Sequence, residues 1–296
     1  MSARDSASVF VRKRVGSAAV WADPWFARVA PEVLADPDRL FDRTACRIVK
    51  DEKKVTIGRA VLAVDGTSTV VYVKRYNAHS AFYRLVSLFR VSAARRALRG
   101  AVVLARCGVA TARPLAAVEI RRWGMLDKSF FLSQEIPQAL TADAYWRESL
   151  AALAGADGMR RRRAFLRGVA RLFRRLHDAR LYHNDLKDAN ILVSAAGEGE
   201  RLFLLDFEGV RQCRYLSERR RVKNLVQLLR TLGGYLSATQ SLFFLGEYLR
   251  GGGSGAGGGT RRRWVHKIAR ARRWADARSR AKAAGTAGRL FRRSER

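Results

Sequence analysis

Between residues 45 and 76, apolar and polar positions alternate in three runs, CRIVKD, VTIGRAVLAV and STVVYVKRY. A period of two with β-branched and aromatic residues predicts half-buried strands. Asp65-Gly66 between the second and third runs predicts a hairpin turn. From about Ser92 to Cys107 the pattern becomes helical, and Gly108 supplies the stop. LAAVEI and SFFLSQEI read as two further strands. Five strands and one helix give residues 43–136 the texture of a small α+β lobe.

After Pro137 the chain contains no proline, which suits helices. Phe165, Val169, Leu172, Phe173 and Leu176 recur at helical spacing, opposite arginines. ANILVS and RLFLLDF flank the turn-rich AAGEGE as a hairpin, and Leu225, Leu228, Leu229 and Leu232 mark another helix. Residues 137–250 therefore read as a larger helical lobe. Residues 1–42 hold three of the five prolines together with Trp21, Trp25 and Phe26, and read as an irregular arm packed on the body. GGGSGAGGG at 251–259 reads as a flexible linker. Residues 260–296 form a basic tail with Trp264, Ile268, Ala271 and Ala275 along one helical face.

Composition changes this picture mainly through charge. With 48% apolar and 28% charged residues, the 296-residue chain is neither disordered nor fibrous. Lys plus Arg number 58 against 26 Asp plus Glu, a net charge of +32. Self-repulsion on that scale implies an anionic partner. Cys46, Cys107 and Cys213 are scattered and odd in number, as reduced thiols would be. There is no apolar run of about 18 residues and no signal-peptide pattern at MSARDSASVFVRKRV. A soluble or peripherally bound cytoplasmic protein is expected.

The candidate chemistry lies in LHDARLYHNDLKDANILV, residues 176–193, where His183, Asp185, Lys187 and Asn190 stand at the spacing H-x-D-x-K-x-x-N. Asp206 follows in LLDFE. Phosphoryl transfer needs a base on the attacking hydroxyl and metal ions bridging the phosphates. Asp185 can accept the hydroxyl proton, and Lys187 can offset charge on the transferred group. Asn190 and Asp206 offer the hard oxygen ligands that Mg2+ prefers. His183 and His177 read as loop scaffold rather than as acids or bases.

Together with YVKRYN at 72–77 and GVATARPLA at 108–116, these segments resemble, in order, the lipopolysaccharide kinase (Kdo/WaaP-type) family of the protein-kinase-like superfamily, over roughly residues 45–250. The resemblance implies an α+β bilobal fold, with a small strand-rich N-lobe and a larger helical C-lobe. It implies ATP and Mg2+ as cofactors, Asp185 as catalytic base, Asn190 and Asp206 as metal ligands, and Lys74 on the ATP phosphates. Gln134, Glu135 and Ile136 resemble the hinge that meets adenine through backbone groups, with Pro137 removing one N–H donor. Asn184 stands where regulated protein kinases carry arginine, so control by activation-loop phosphorylation is not expected.

Two features depart from the superfamily pattern. No G-x-G-x-x-G loop occurs, and the turn at 50–54 is KDEKK. From Gly66 through Val118 there is no Asp or Glu, so the helix after Lys74 offers no glutamate to that lysine. Lys74 must pair elsewhere, with Asp206 or the ATP phosphates, or stand unpaired. The same stretch holds nine Lys and Arg: Lys74, Arg75, Arg84, Arg90, Arg95, Arg96, Arg99, Arg106 and Arg113. They read equally as a generally basic surface or as a cradle for an acidic or phosphorylated sugar. Residues 251–296 carry fourteen Lys and Arg against two acids, the recipe for a helix on an anionic membrane or for a solubilising tail.

The leading expectation is an ATP- and Mg2+-dependent kinase acting on a sugar hydroxyl of the lipopolysaccharide inner core or a related anionic glycolipid. It would work at the inner face of the inner membrane, touching it through the basic tail. The competing expectations are a small atypical protein kinase, or a pseudokinase-like binder of glycolipid or membrane. A nucleic-acid partner is not expected, since no nucleic-acid module accompanies the charge.

Overall fold

The alternating segments of the first half become one antiparallel sheet. The computed structural model describes residues 10–42, 46–78, 80–195, 199–250 and 258–294, with side chains as far as Ala281. These fall into two units, Met1–Leu140 with Ile191–Gln212, and Thr141–Asn190 with Cys213–Arg296.

In the first unit the strands are β1 (Val11–Val15), β2 (Ala18–Ala22), β3 (Cys46–Glu52), β4 (Val55–Val64), β5 (Thr67–Asn77), β6 (Pro114–Arg122) and β7 (Met125–Gln134). Their order across the sheet is β1-β2-β6-β7-β5-β4-β3. Asp65 and Gly66 both adopt positive φ between β4 and β5, the turn that matches the strand twist. Residues 11–22 are not an irregular arm. VRKRV and AAVWA pair across Gly16, and β2 pairs with β6 so that Ala18, Val20 and Ala22 are buried. The sheet therefore has seven strands where five were expected.

Short helices α1 (Pro24–Val29) and α2 (Pro31–Ala35) follow, each with proline in its first turn. Asp23 caps α1 through the amides of Trp25 and Phe26. Phe26, Leu34 and Leu40 join Val20, Val71, Leu115 and Phe130 in one buried cluster. A side chain of this size contributes roughly 1.5–3 kcal/mol when fully buried. After β5 come α3 (Ala81–Val86), which the sequence pattern did not suggest, and α4 (Ala93–Arg106), as expected. Ser92 caps α4, and Ala94, Ala97, Ala101 and Leu104 are its buried face.

The chain leaves this unit after β8 (Ala139–Thr141) and enters the helical one. There the elements are α5 (Ala142–Tyr145), α6 (Gly155–Asp178), β9 (Leu181–His183), α7 (Glu218–Thr231), α8 (Ala238–Arg250) and α9 (Gly258–Ser294). Phe165, Val169, Phe173 and Leu176 are the buried stripe of α6, and Leu225, Leu228 and Leu229 that of α7. The intervening stretch returns to the first unit as β10 (Ile191–Ser194), β11 (Arg201–Leu204) and β12 (Val210–Gln212), with β10 and β11 paired antiparallel.

The tail also differs from its reading as a tethered appendage. Residues 251–257 of the expected linker lie outside the described residues, and Gly258 and Gly259 already belong to α9. Trp264 and Ile268 are buried, and Trp264 meets Tyr248 edge-on. Lys267 and Arg263 pair with Glu218, and Arg230 pairs with Asp276. The first part of the face assigned to a membrane is thus spent inside the unit, because a tryptophan and an isoleucine four residues apart complete the α7–α8 surface.

Candidate active site

The strand-rich unit positions the predicted lysine through register. Lys74 in β5 lies opposite Ile57 of β4 and Phe131 of β7. Val71 and Val73 point to the buried cluster, so alternation puts Lys74 and Tyr76 on the opposite face. Lys74 Nζ donates to Asp206 Oδ1 at 2.9 Å and to Glu208 Oε1 at 3.1 Å. All three side chains are about a quarter exposed. Burial alone would push the ammonium pKa down, but Tyr76, Asp206 and Glu208 outweigh it and raise the pKa. Burial also raises the pKa of the neighbouring Tyr76, against the opposing charge of Lys74.

Two packing contacts hold the DFE segment. Phe207 meets Phe131 edge-on at 5.6 Å. Gly100 of α4 lies so near that a Cβ there would stand 2.0 Å from the Phe207 carbonyl oxygen. Asp206 itself has φ 58° and ψ 60°, the left-handed geometry that aspartate tolerates better than most residues. Arg96 of α4 comes within 4.0 Å of Glu208. The helix that lacks a glutamate therefore presents an arginine, and the carboxylate comes from the loop instead.

The predicted hinge lies at the end of β7. The Gln134 amide donates to Arg113 O and the Glu135 amide to Val70 O, so two of the three N–H groups in Gln134–Ile136 are committed to the protein. Arg59 clamps the Glu135 carboxylate with two bonds of 2.6 and 2.9 Å, a bidentate geometry that fixes this side chain. Glu135 was expected here for its backbone alone.

In the helical unit the motif folds locally. The Asp185 amide donates to His183 Nδ1 at 3.2 Å, and Asn190 Nδ2 donates to the Asp185 carbonyl at 2.7 Å. Spending its N–H on that carbonyl leaves Asn190 Oδ1 as the acceptor end of the amide. Lys187 Nζ is 2.9 Å from Asp185 Oδ2. Beneath the loop, Asn224 Nδ2 donates to the His183 carbonyl at 2.6 Å, and Asn224 Oδ1 lies 3.2 Å from His177 Nε2. His177 Nδ1 is 2.9 Å from the Tyr248 hydroxyl. Because Asn224 presents its oxygen, His177 carries its proton on Nε2 and accepts from Tyr248 at Nδ1. Burial pushes the His177 pKa down to about 4. Both histidines are fully buried, as expected of scaffold.

The structure thus brings Lys74 and Asp206 together in one unit, and Asp185, Lys187 and Asn190 together in the other. Glu208 was missed, although an acidic residue two places after Asp206 was a visible candidate once α4 offered none. The nine basic residues do not make one cradle. Arg75 pairs with Asp38, Arg113 with Asp23, Arg84 with Asp127, and Arg95 stacks on Trp21. Among the described residues no three His, Cys, Asp or Glu side chains form a metal cage. A Mg2+ ion that keeps waters and phosphate oxygens needs only one or two protein oxygens; the first unit offers the Asp206 carboxylate and the second, separately, the Asn190 amide oxygen.

Comparisons with known proteins give the family and the fold. The profile of the family described as "Lipopolysaccharide kinase (Kdo/WaaP) family" matches residues 41–244. A 3-deoxy-D-manno-octulosonic acid kinase of Vibrio cholerae is 31% identical over 101 residues, 34% of this chain and 37% of that protein. Another from Haemophilus influenzae is 45% identical over 42 residues, 14% of this chain and 17% of that protein. The matched segments therefore span well under half of these relatives. The solved structure of WaaP in complex with acyl carrier protein aligns with a TM-score of 0.56 at 22% identity, covering 77% of this chain and 87% of that one. That likeness shows a shared α+β kinase-like fold.

Proposed function

The chain belongs to the lipopolysaccharide kinase (Kdo/WaaP) family, and from that premise we propose that it transfers a phosphoryl group from ATP to a sugar hydroxyl of lipopolysaccharide or a related anionic glycolipid. The relatives' name makes 3-deoxy-D-manno-octulosonic acid the acceptor of choice. It is an acidic sugar, and its carboxylate suits a chain of net charge +32. The observation that carries the reading is the Lys74 ammonium held by Asp206 and Glu208, in a chain that also folds the H-x-D-x-K-x-x-N loop.

In this proposal Asp185 accepts the proton of the acceptor hydroxyl, and Lys187 beside it offsets charge on the transferred group. Lys74 binds the ATP phosphates. Glu208 takes the place of the missing helix glutamate and would keep Lys74 oriented with Asp206 serving as a metal ligand. Asn190 and Asp206 would hold Mg2+, which neutralises charge on the phosphate oxygens. With the Gln134 and Glu135 amides already bonded, the Ile136 amide is the hinge donor for adenine. The pseudokinase reading drew on the missing helix glutamate and the missing glycine-rich loop, and the two carboxylates on Lys74 weaken the first of these motives. No helix of the described residues is long and apolar enough to cross a membrane, and we place the enzyme on the cytoplasmic face of the inner membrane as a peripheral protein.

The test uses the purified chain with labelled ATP, Mg2+ and a glycolipid bearing 3-deoxy-D-manno-octulosonic acid. Label should appear on the glycan, and Asp185→Asn should lower the rate by about 10³-fold while leaving the fold unchanged. Label on protein alone would favour the protein-kinase reading. Turnover by Asp185→Asn at the wild-type rate would remove Asp185 from the chemistry.

A further inference from the structure

At one end of the strand-rich unit, large apolar side chains stand in solvent with no fold-stabilising role. Phe89 is 90% exposed, Trp123 is 84% exposed and Phe82 is 76% exposed. Leu85 and Leu88 are exposed beside them. Helix α3, which carries Phe82 and Leu85, buries none of its residues.

Hydrogen bonds bring the two segments that bear these residues side by side. Ser87 Oγ accepts from the Leu126 amide at 2.8 Å, the Ser87 carbonyl accepts from Arg121 at 3.2 Å, and Arg84 pairs with Asp127 at 2.8 Å. Leu88 approaches Gly124, the second residue of the β6–β7 turn. Phe82, Leu85 and Phe89 thus flank the tip of that hairpin.

The tip itself is strained in a telling way. Arg122 pairs with Met125, and the two turn residues Trp123 and Gly124 have φ of 50° and 78°. A turn of this kind favours Asn, Asp or Gly at its first position. Trp there is a bulky residue in the left-handed region, and its ring projects outward with Arg122 stacked on it at 5.3 Å. Neither burial nor backbone preference explains a tryptophan at this position. A partner that takes up the ring would.

The net charge around the tip is positive. Arg84 and Arg121 match the nearby acids Asp127 and Glu119, and Arg90 and Arg122 are exposed in addition. Aromatic side chains projecting from a convex apex among arginines match the headgroup level of an anionic bilayer, where rings sit at the apolar boundary and guanidinium groups meet phosphate. Exposed apolar patches of this kind mark an interaction surface, and the positive charge around this one selects the anionic bilayer.

We propose that Phe82, Phe89 and Trp123, with the arginines around them, dock this unit onto an anionic phospholipid membrane. The identification of the membrane rests on the glycolipid-kinase reading, but the docking does not need catalysis. It also moves membrane contact from the basic tail, whose Trp264 and Ile268 are buried, to the strand-rich unit.

Flotation of the full chain with phosphatidylethanolamine–phosphatidylglycerol vesicles, without ATP or acceptor, tests this. The wild type should bind these vesicles and bind phosphatidylcholine vesicles far less. The triple variant Phe82→Ser, Phe89→Ser and Trp123→Ser should lose about tenfold or more in partition, with thermal unfolding unchanged, and Trp123→Phe should retain binding. Replacing the tail residues Arg262, Arg270 and Arg273 by Gln should have the smaller effect. Wild-type binding by the triple variant, or binding abolished only by the tail changes, would overturn the proposal. So would a wild type that ignores vesicles but self-associates through these rings. Vesicle binding without phosphate transfer would leave the docking standing and remove the kinase reading.

Discussion

In the strand-rich unit the site lysine meets carboxylates that lie 132 and 134 residues further along the chain. In the helical unit every predicted site residue falls within the eight positions from His183 to Asn190. The first arrangement is exposed enough to exchange partners, with Lys74, Asp206 and Glu208 each about a quarter accessible. The second rests on a buried network of His177, Asn224 and Tyr248, with Arg174 and Arg221 bonded to its edge. The difference separates two tasks. In the proposed mechanism a base has to be held at a fixed point by a rigid floor, whereas a lysine that binds phosphate has to give up protein carboxylates for ligand oxygens, which favours a few solvated ion pairs over a locked core.

Because burial keeps His177 neutral, acid should undermine the helical unit first. His177 has a folded-state pKa of about 4 against an ordinary 6.5, so between those values the unfolded chain binds a proton that the folded one refuses. Its contribution is therefore complete above pH 6.5 and lost as pH falls toward 4. The expected loss is about 3 kcal/mol. Urea titrations from pH 7 to 4 should show it, and His177→Gln should flatten the profile by about one proton across that range. A pH slope unchanged in the variant would assign the acid sensitivity to another group.

A smaller effect is expected where the DFE segment packs on α4. Alanine usually stabilises a helix relative to glycine, by about 1 kcal/mol. At Gly100 the added Cβ would meet the Phe207 carbonyl at 2.0 Å, and backbone has to move. Gly100→Ala should therefore destabilise by about 1–3 kcal/mol, measured by urea midpoint, in spite of its better propensity. Stabilisation would mean that the contact is looser than this geometry.

What could be read in advance follows the same division. The Asp65-Gly66 turn and α4 with its Gly108 stop depend on neighbours in sequence and appear as expected, and the H-x-D-x-K-x-x-N segment closes on itself through local hydrogen bonds. The β1–β2 hairpin was legible in principle, since Ala18, Val20 and Ala22 alternate after Gly16, but the prolines and tryptophans nearby pointed to an arm. Glu208, the Arg59–Glu135 clamp and Gly100 depend on residues brought together from 76 to more than 100 positions away, and no local pattern encodes that meeting. α3 was hidden for another reason: its exposed phenylalanine and leucine follow no burial stripe.

The smallest expected effect bears most directly on the comparison, because it asks whether the two carboxylates on Lys74 are equivalent. Both touch the same ammonium, at 2.9 and 3.1 Å, yet only Asp206 is a candidate metal ligand. If Glu208 stands in for the helix glutamate, Glu208→Gln keeps the shape but removes the charge that holds Lys74 when Asp206 turns to the metal. The rate of glycan labelling at saturating acceptor should then fall about tenfold, with a raised KM for ATP, and Glu208→Asp should recover part of it. Asp206→Asn, by contrast, should lose turnover at every Mg2+ concentration. A Glu208→Gln variant with wild-type kinetics would mean that Asp206 alone orients Lys74, and that the arginine-bearing face of α4 has no electrostatic role in holding the lysine.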